Sequence, residues 1–226
     1  MMTTVNTREH YEWLVDEGFD AFEYSESLLA YQARWDGPTF YDLLGDLGEK
    51  SVLEIGVGTG RLAREVIARG CRAFTGIDFS PKTVALAKEH FLREENAEII
   101  LADAESFVRP EAFDVAYSVL TFLHIEDKQK TLANIVKSLR PGGHLVLSIN
   151  LVRYTCAEGE EDWLDYGTRK VRLFSAPPAS YVRWLEQLGC QVDEPVELVD
   201  TFVHPNGKRS QTYGESVASL VRAVKQ

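Results

Sequence analysis

Where a short apolar run of the chain ends, an acidic residue and three glycines occupy every second position. They are Glu54, Gly56, Gly58 and Gly60, and a helical pattern of apolar residues begins directly after the last of them. Because glycine has no Cβ and tolerates positive φ, such a turn lets the backbone approach a ligand closely. The turn also precedes a helix N-terminus at the carboxyl end of a buried strand, where open α/β sheets bind nucleotide-like molecules.

Two further acidic residues, Asp78 and Asp103, each follow an apolar segment. Asp78 comes after Gly60 at about the 20-residue offset that brings a carboxylate to ribose hydroxyls in a βαβ unit. A carboxylate can accept hydrogen bonds from both hydroxyls of a diol. The alternative roles are structural. Asp78 would cap the next helix, although Ser80 before Pro81 suits that role better, and Asp103 would cap a loop.

The pattern E-x-G-x-G-x-G resembles the first motif of class I S-adenosylmethionine (SAM)-dependent methyltransferases. The segment Leu139-Arg140-Pro141-Gly142-Gly143 is similar to the turn before their fifth strand, and Phe113–Asp127 resembles their fourth strand and the loop after it. The dinucleotide fingerprint has a different glycine spacing, G-x-G-x-x-G, which disfavours a nicotinamide oxidoreductase.

The resemblance implies a role for each matching residue. Asp78 would hold the ribose of SAM and Phe79 would flank the adenine, while Asp103 would accept from the adenine amino group and Ala104 would bond a ring nitrogen. The cofactor-binding residues expected in these segments are Glu54, Gly56, Gly58, Gly60, Asp78, Phe79, Asp103, Ala104 and Ser118.

Residues 1–48 carry a large share of the aromatic side chains and are expected to form an N-terminal helical lid of two or three helices. By the same resemblance, Tyr31 and Arg34 would reach the methionine end of SAM. The alternative is that these aromatic residues only dock the helices on the sheet.

The remaining residues, 49–226, are expected to form one SAM-binding domain with a substrate-side insertion at 151–174. Tyr154, Trp163 and Tyr166 are candidates for the wall of an acceptor pocket there.

Alternating strand and helix patterns predict an α/β fold with helices on both faces of the sheet. The sheet is expected to be mostly parallel and seven-stranded, with strands near 191–203 and 215–224 and, as in the family, an antiparallel last strand.

His124 is the candidate catalytic base, because it follows the fourth strand and an unperturbed imidazole titrates near neutral pH. The alternative is that the ring packs against the adjacent helix or interacts with Glu126 and Asp127. No spacing of histidines, cysteines and carboxylates suggests a metal site.

Composition narrows the class of partner. The 226 residues carry a net charge of −11 and show no basic stripe, which argues against a nucleic-acid partner. No run suggests a membrane span or a signal peptide, and three cysteines without a pairing pattern favour reduced thiols and a cytoplasmic location. A monomer or a homodimer is expected.

The sequence therefore predicts a SAM-dependent methyltransferase that acts on an O or N atom of a small molecule and releases S-adenosyl-L-homocysteine (SAH). The alternatives are a SAM-binding protein without turnover, or transfer of another group from a SAM derivative.

Overall fold

The computed structural model describes residues 3–151 and 162–226 of the chain. Tyr154 and most of the first half of the predicted insertion lie outside the described residues. The helices are α1 (Thr7–Asp16), α2 (Glu26–Gln32), α3 (Gly37–Leu44), α4 (Arg61–Ala68), α5 (Pro81–His90), α6 (Lys128–Ser138) and α7 (Pro178–Gln187), with a 3₁₀ turn at Phe122–His124. The strands are β1 (Thr3–Val5), β2 (Ser51–Ile55), β3 (Ala73–Asp78), β4 (Ala97–Leu101), β5 (Phe113–Val119), β6 (Leu139–Asn150), β7 (Asp162–Tyr166), β8 (Arg169–Leu173), β9 (Cys190–Val192), β10 (Val196–Val199) and β11 (Ser216–Lys225).

The main sheet has the order β10-β11-β6-β5-β2-β3-β4, and β9 pairs with β11 beside β10. Strands β2 to β6 run parallel, whereas β11 is antiparallel to β6. The predicted mostly parallel α/β sheet and its antiparallel last strand are confirmed.

The described part of this sheet has eight strands rather than seven, because the strand expected at 191–203 is divided. Pro195 lies between β9 and β10, and proline has no N–H to donate to a sheet ladder. Both short strands pair with β11.

Helices cover both faces of the main sheet, because successive residues of a strand point to opposite sides. Val52 packs in a core cluster with side chains of α3, α4 and α5. Its neighbour Leu53 packs in a second cluster with side chains of α6 and α7. The two clusters hold the sheet rigidly, so the carboxyl ends of its parallel strands keep fixed positions.

A second, three-stranded sheet joins the first residues of the chain to the segment after β6. Strand β1 pairs in parallel with β8, and β8 pairs antiparallel with β7. Helix α1 follows β1 directly, with Asn6 and Glu9 forming a capping box at its start. The predicted lid segment therefore contains three helices and also a strand, which the sequence did not indicate.

Candidate active site

The glycine turn after β2 lines a cleft of about 400 Å³ at the carboxyl ends of the parallel strands. Gly56 and Gly58 have φ angles of +76° and +56°. A Cβ at Gly56 would lie 2.1 Å from the Thr121 hydroxyl oxygen, so only glycine fits there. A Cβ at Gly58 would meet no atom within 4 Å, because this residue faces the open cleft.

Gly60 and Ser118, both predicted to bind the cofactor, do not line the cleft. Gly60 begins α4 with φ +102°, and a Cβ there would lie 2.3 Å from the ring of Phe91. The hydroxyl of Ser118 donates to the carbonyl of Ile55 at 2.9 Å and is buried between β5 and β2. Both residues serve packing of the chain, so these two expectations are corrected.

Asp78 fixes the shape of the glycine turn and also lines the cleft. Its Oδ2 accepts from the backbone N–H of Gly58 at 3.1 Å and its Oδ1 from that of Ser80 at 3.0 Å. Burial raises the pKa of Asp78, and these backbone donors oppose that shift. Each carboxylate oxygen has a second lone pair, so both can still accept from a ligand.

The acidic residue that follows another strand, β4, lies in the same cleft. Asp103 and Ala104, which follow β4, line the wall together with Phe79 from the end of β3. Asp103 uses one oxygen to accept from the backbone N–H of Glu105 at 2.9 Å. The structure therefore brings together residues that are far apart in the sequence, as the strand-end argument requires.

Glu54 is buried at the base of the cleft, and the hydroxyl of Tyr117 donates to it at 2.8 Å. Burial raises the pKa of Glu54 to about 8, against the opposing effect of that hydrogen bond and of the Arg61 charge. The carboxyl group is therefore largely neutral at pH 7 in the ligand-free protein.

Arg61 is a cleft residue that the sequence reasoning did not assign to the cofactor. Its guanidinium lies 2.6 Å from the buried carboxylate of Asp36. Its position in the sequence could have indicated this role, because the first helical residue after a glycine turn is held at the mouth of the site. A cation here suits the carboxylate of an amino-acid group.

A segment between α1 and α2 crosses the cleft from the other side. Phe19 and Tyr24 line it, and between them the ring of Phe22 stacks on His90 at a centroid distance of 4.1 Å. The backbone N–H of Phe22 donates to the Thr59 hydroxyl at 3.2 Å. The glycine turn and the N-terminal segment are thus directly connected.

His124 lies at one end of the cleft, where its Nε2 shares a hydrogen bond of 2.8 Å with the Tyr11 hydroxyl. Its Nδ1 is buried and has no hydrogen-bond partner among the described residues. Burial, with smaller contributions from His10 and Lys128, lowers the pKa of His124 to about 3. The ring is therefore neutral at pH 7 and does not titrate there, in contrast to the sequence-based expectation.

Tyr31 and Arg34 line a second cavity, of about 620 Å³, and not the cleft. Arg34 donates to Asp200 at 2.8 Å and lies over the ring of Tyr31 at 3.7 Å. The expected contact of these two residues with the methionine end of SAM is therefore corrected. The side chains shared by the two cavities are Tyr11, Gln32, Leu120, His124 and Leu164.

The other two candidates for the wall of an acceptor pocket lie among the described residues, and the structure places them differently. Tyr166 lines the first cleft, whereas Trp163 is not among the residues that line either cavity. In β7, residues at odd and even positions face opposite sides of the strand, which is why the two differ.

The family of methyltransferase domains matches residues 53–147, the stretch that contains the glycine turn, Asp78, Asp103 and His124. This part of the chain is therefore similar to methyltransferase domains. The match agrees with the predicted methyltransferase domain, and SAM remains the predicted cofactor.

Curated proteins similar to this chain include two enzymes named ubiquinone biosynthesis O-methyltransferase. That of Nitrosomonas europaea is 31% identical over 47% of this chain and 46% of its own length, so the match spans about half of that relative. That of Saccharophagus degradans is 28% identical over 69% of each chain. A solved SAM-dependent methyltransferase from Mesorhizobium loti superposes with a TM-score of 0.71 at 21% identity, covering 87% of this chain and all of that one, which shows the shared fold.

Among residues 3–151 and 162–226, no helix combines the length and apolar character that crossing a bilayer requires. The same residues contain no group of three or more histidine, cysteine or acidic side chains placed to hold a metal ion.

Proposed function

We propose that the protein transfers the methyl group of SAM to an O or N atom of a small molecule and releases SAH. The observation that carries this proposal is the pair of adjoining cavities. One is lined by the glycine turn and the strand-end acids, and it meets the other at Tyr11 and His124. Because the sulfonium of SAM is already activated, methyl transfer mainly requires positioning of the acceptor and exclusion of water.

The proposed cofactor contacts follow the chemistry of each side chain. Asp78 would accept from the ribose hydroxyls, and Phe79 with Asp103 and Ala104 would contact the adenine. At the methionine end, Arg61 would bind the carboxylate and Glu54 the ammonium group. Supporting this assignment, all six residues line one cleft.

We assign the acceptor proton to His124. A neutral hydroxyl that gains a methyl group becomes an oxonium ion, which is a far stronger acid than imidazolium. A base with a pKa of about 3 can therefore still take this proton. The Tyr11 hydroxyl, hydrogen-bonded to Nε2, would keep the ring oriented.

The O-methyltransferase names of the two curated relatives favour a hydroxyl acceptor over a nitrogen. We also propose that residues 1–48 act as the lid, since Phe19 and Tyr24 cover the cleft.

A thermal-shift titration with SAM and SAH, with NAD as the control ligand, tests the cofactor part of the proposal. Ligand that binds only the native state raises the melting temperature by mass action. We expect a shift with SAM and SAH and none with NAD, and a loss of the shift in Asp78→Asn but not in Asp193→Asn, which lies in an ion pair outside the cleft. Absence of any shift in the native sequence would overturn the proposal.

Turnover is then tested by release of SAH in a screen of hydroxylated and amine acceptors. Release with any acceptor supports methyl transfer. Binding of SAM without release across the screen would favour the alternative of a SAM-binding protein without turnover.

A further inference from the structure

The two adjoining cavities have opposite electrostatic character. The cofactor cleft is lined by four acidic side chains and a single arginine, which suits the sulfonium and ammonium groups of SAM. The residues that line the second cavity include no aspartate or glutamate among the described part of the chain. Its basic lining residues are Arg34, Lys208, Arg209, His124 and His204.

Two of these cations take part in no ion pair among the described residues. Lys208 and Arg209 form no ion pair with any described residue, and the Arg209 guanidinium only lies over the ring of Tyr213 at 4.5 Å. Arg34 is different, because the charge of Asp200 compensates it. Within the part of the chain that the structure describes, the positive charge of the cavity that has no ion-pair partner therefore lies on Lys208 and Arg209.

A short turn holds these two residues at the rim. The backbone N–H of His204 donates to the carbonyl of Lys208 at 2.8 Å, and the backbone N–H of Lys208 donates to the side chain of Asn206 at 3.0 Å. Behind the rim, Arg34 lies flat against Tyr31 and Trp35, at 3.7 Å and 4.3 Å from their ring centres. The cavity thus combines a cationic rim with a wall of planar groups.

The charge of this cavity lining is positive, whereas the net charge of the whole protein is −11. A positively charged cavity attracts anionic ligands and disfavours cationic ones. We propose that the second cavity selects an acceptor that carries an anionic group, such as a carboxylate, sulfonate or phosphate, bound by Lys208 and Arg209. The acceptor's nucleophilic atom then points to His124, where the cavity meets the cofactor cleft. The inference rests on the proposed methyl transfer.

A matched pair of fluorescent probes tests the charge preference without knowledge of the true acceptor. 8-Anilinonaphthalene-1-sulfonate is an anionic aromatic molecule, and N-phenyl-1-naphthylamine is the same molecule without the sulfonate. Both are titrated against the SAH-loaded protein, so that the cofactor cleft is filled. We expect tighter binding of the sulfonate, and a loss of about tenfold in its affinity in Lys208→Gln/Arg209→Gln, with binding of the neutral probe unchanged.

The control is Arg93→Gln/Lys137→Gln, which removes the same charge from exposed positions that line neither cavity. It is expected to leave both affinities unchanged. Equal loss of sulfonate affinity in the two double variants, no loss in either, or no binding of the sulfonate would overturn the inference.

A melting-temperature shift with SAH, measured on the same samples, separates the two proposals. If SAH binds but the charge preference is absent, the anionic acceptor is wrong and methyl transfer stands. If SAH does not bind, the proposed function fails on its own, and the probes are then titrated against the ligand-free protein with the same expectations.

Discussion

Gly58 and Gly142 share a backbone conformation but differ in what lies in front of them. Both have positive φ, at +56° and +77°, and a Cβ on either would meet no atom within 4 Å. For Gly58 the open space is the cofactor cleft, whereas Gly142 lies in the turn before the central part of β6 and lines neither cavity. Substitutions at these two glycines therefore separate the effect of backbone strain on stability from the effect of a side chain in the cleft on ligand binding.

We predict that Gly58→Ala and Gly142→Ala each lower the free energy of unfolding by about 1–2 kcal/mol, the cost of left-handed backbone for a residue with a Cβ. Only Gly58→Ala is expected to weaken SAH binding, because its methyl group projects into the cleft. Urea unfolding and calorimetric titration measure the two effects. Unchanged SAH affinity in Gly58→Ala would remove this turn from the cofactor site.

Glu54 predicts a pH dependence of stability. Its pKa rises from the usual 4.5 to about 8 on folding, so the folded state holds a proton that the unfolded state has lost. The carboxyl group therefore lowers the stability of the ligand-free protein as pH rises from about 4.5 to about 8, by up to about 1.4 kcal/mol per pH unit.

Glu54→Gln is expected to remove this decline, so the difference in stability between the variant and the native sequence grows as pH rises towards 8. Unfolding in urea at a series of pH values measures it. Glu215→Gln, an exposed change outside both cavities, serves as the control. A pH-independent difference for Glu54→Gln would show that the carboxyl group is ionised in the folded protein.

For His124 we predict lower turnover without loss of cofactor. His124→Asn should reduce kcat by about a hundredfold, the usual contribution of a positioned base, with little change in the affinity for SAH. Because the pKa of the ring is about 3, no ionisation of His124 should appear in the kcat profile between pH 6 and 9. An inflection near 6.5 that disappears in His124→Asn would contradict the buried, neutral ring.

The sequence predicts the location of a residue only where its neighbours in the chain determine that location. Gly56, Gly58 and Asp78 share one cleft, as the sequence predicted, because a strand end positions them through neighbouring residues alone. Tyr31 and Arg34 lie outside that cleft, because their location depends on Asp200, which is distant in the sequence. Nothing in the local pattern indicates that partner.

At the scale of elements, an ion pair connects the turn between α2 and α3 to the loop between β10 and β11. The carboxylate of Asp200 accepts from Arg34, Ser210 and Thr212, and its side chain is fully buried. Burial alone would raise the pKa of Asp200, but these hydrogen bonds outweigh it and lower the pKa to about 2. The stabilisation is present above the usual pKa of 3.8 and is lost as pH falls towards 2.

We predict that Asp200→Asn lowers the free energy of unfolding by about 3–5 kcal/mol at pH 7, because it leaves the buried Arg34 uncompensated. Asp193→Asn breaks the exposed pair with Arg222 and is expected to cost about 0–1 kcal/mol. Urea unfolding of the two variants gives the comparison. Similar, small losses in both would show that the Arg34 pair is solvated.

Among the elements, the sequence predicted the repeating strand–helix units well and the short strands poorly. The long units have their own apolar periods, and Gly70, Pro141 and Gly189 follow three of their helices, so local information suffices there. Strand β1 has only three residues, and it forms because β8 offers an open edge for pairing. A strand of that kind depends on a distant partner, as does the division of the strand near Pro195.

For the whole molecule, the lid proposal predicts a pattern of hydrogen exchange. The cleft is lined by residues from the N-terminal segment, the glycine turn, the strand ends and β7. SAH should therefore slow amide exchange in residues 10–24 as well as in residues 56–62, and should leave residues 190–199 unchanged. Protection restricted to the glycine turn would mean that the N-terminal segment does not close over the cofactor.

The second cavity illustrates why the acceptor side was the least predictable part of the molecule. Its lining comes from residues 31–35, the 3₁₀ turn, the end of β6 and the loop at 204–212. No motif spans these segments, and their common location follows only from the folded sheet. The cofactor side, by contrast, repeats one local arrangement at the ends of neighbouring strands.

The parallel pairing of β1 with β8 also sets an order of events on the ribosome. Residues 3–5 leave the ribosome before their pairing partners at 169–171 have been made. Strands β2 to β6 and the glycine turn are complete well before that moment. A nascent chain can therefore build an open cofactor site, and it can fasten the segment that carries β1 only after residues 169–171 have been translated.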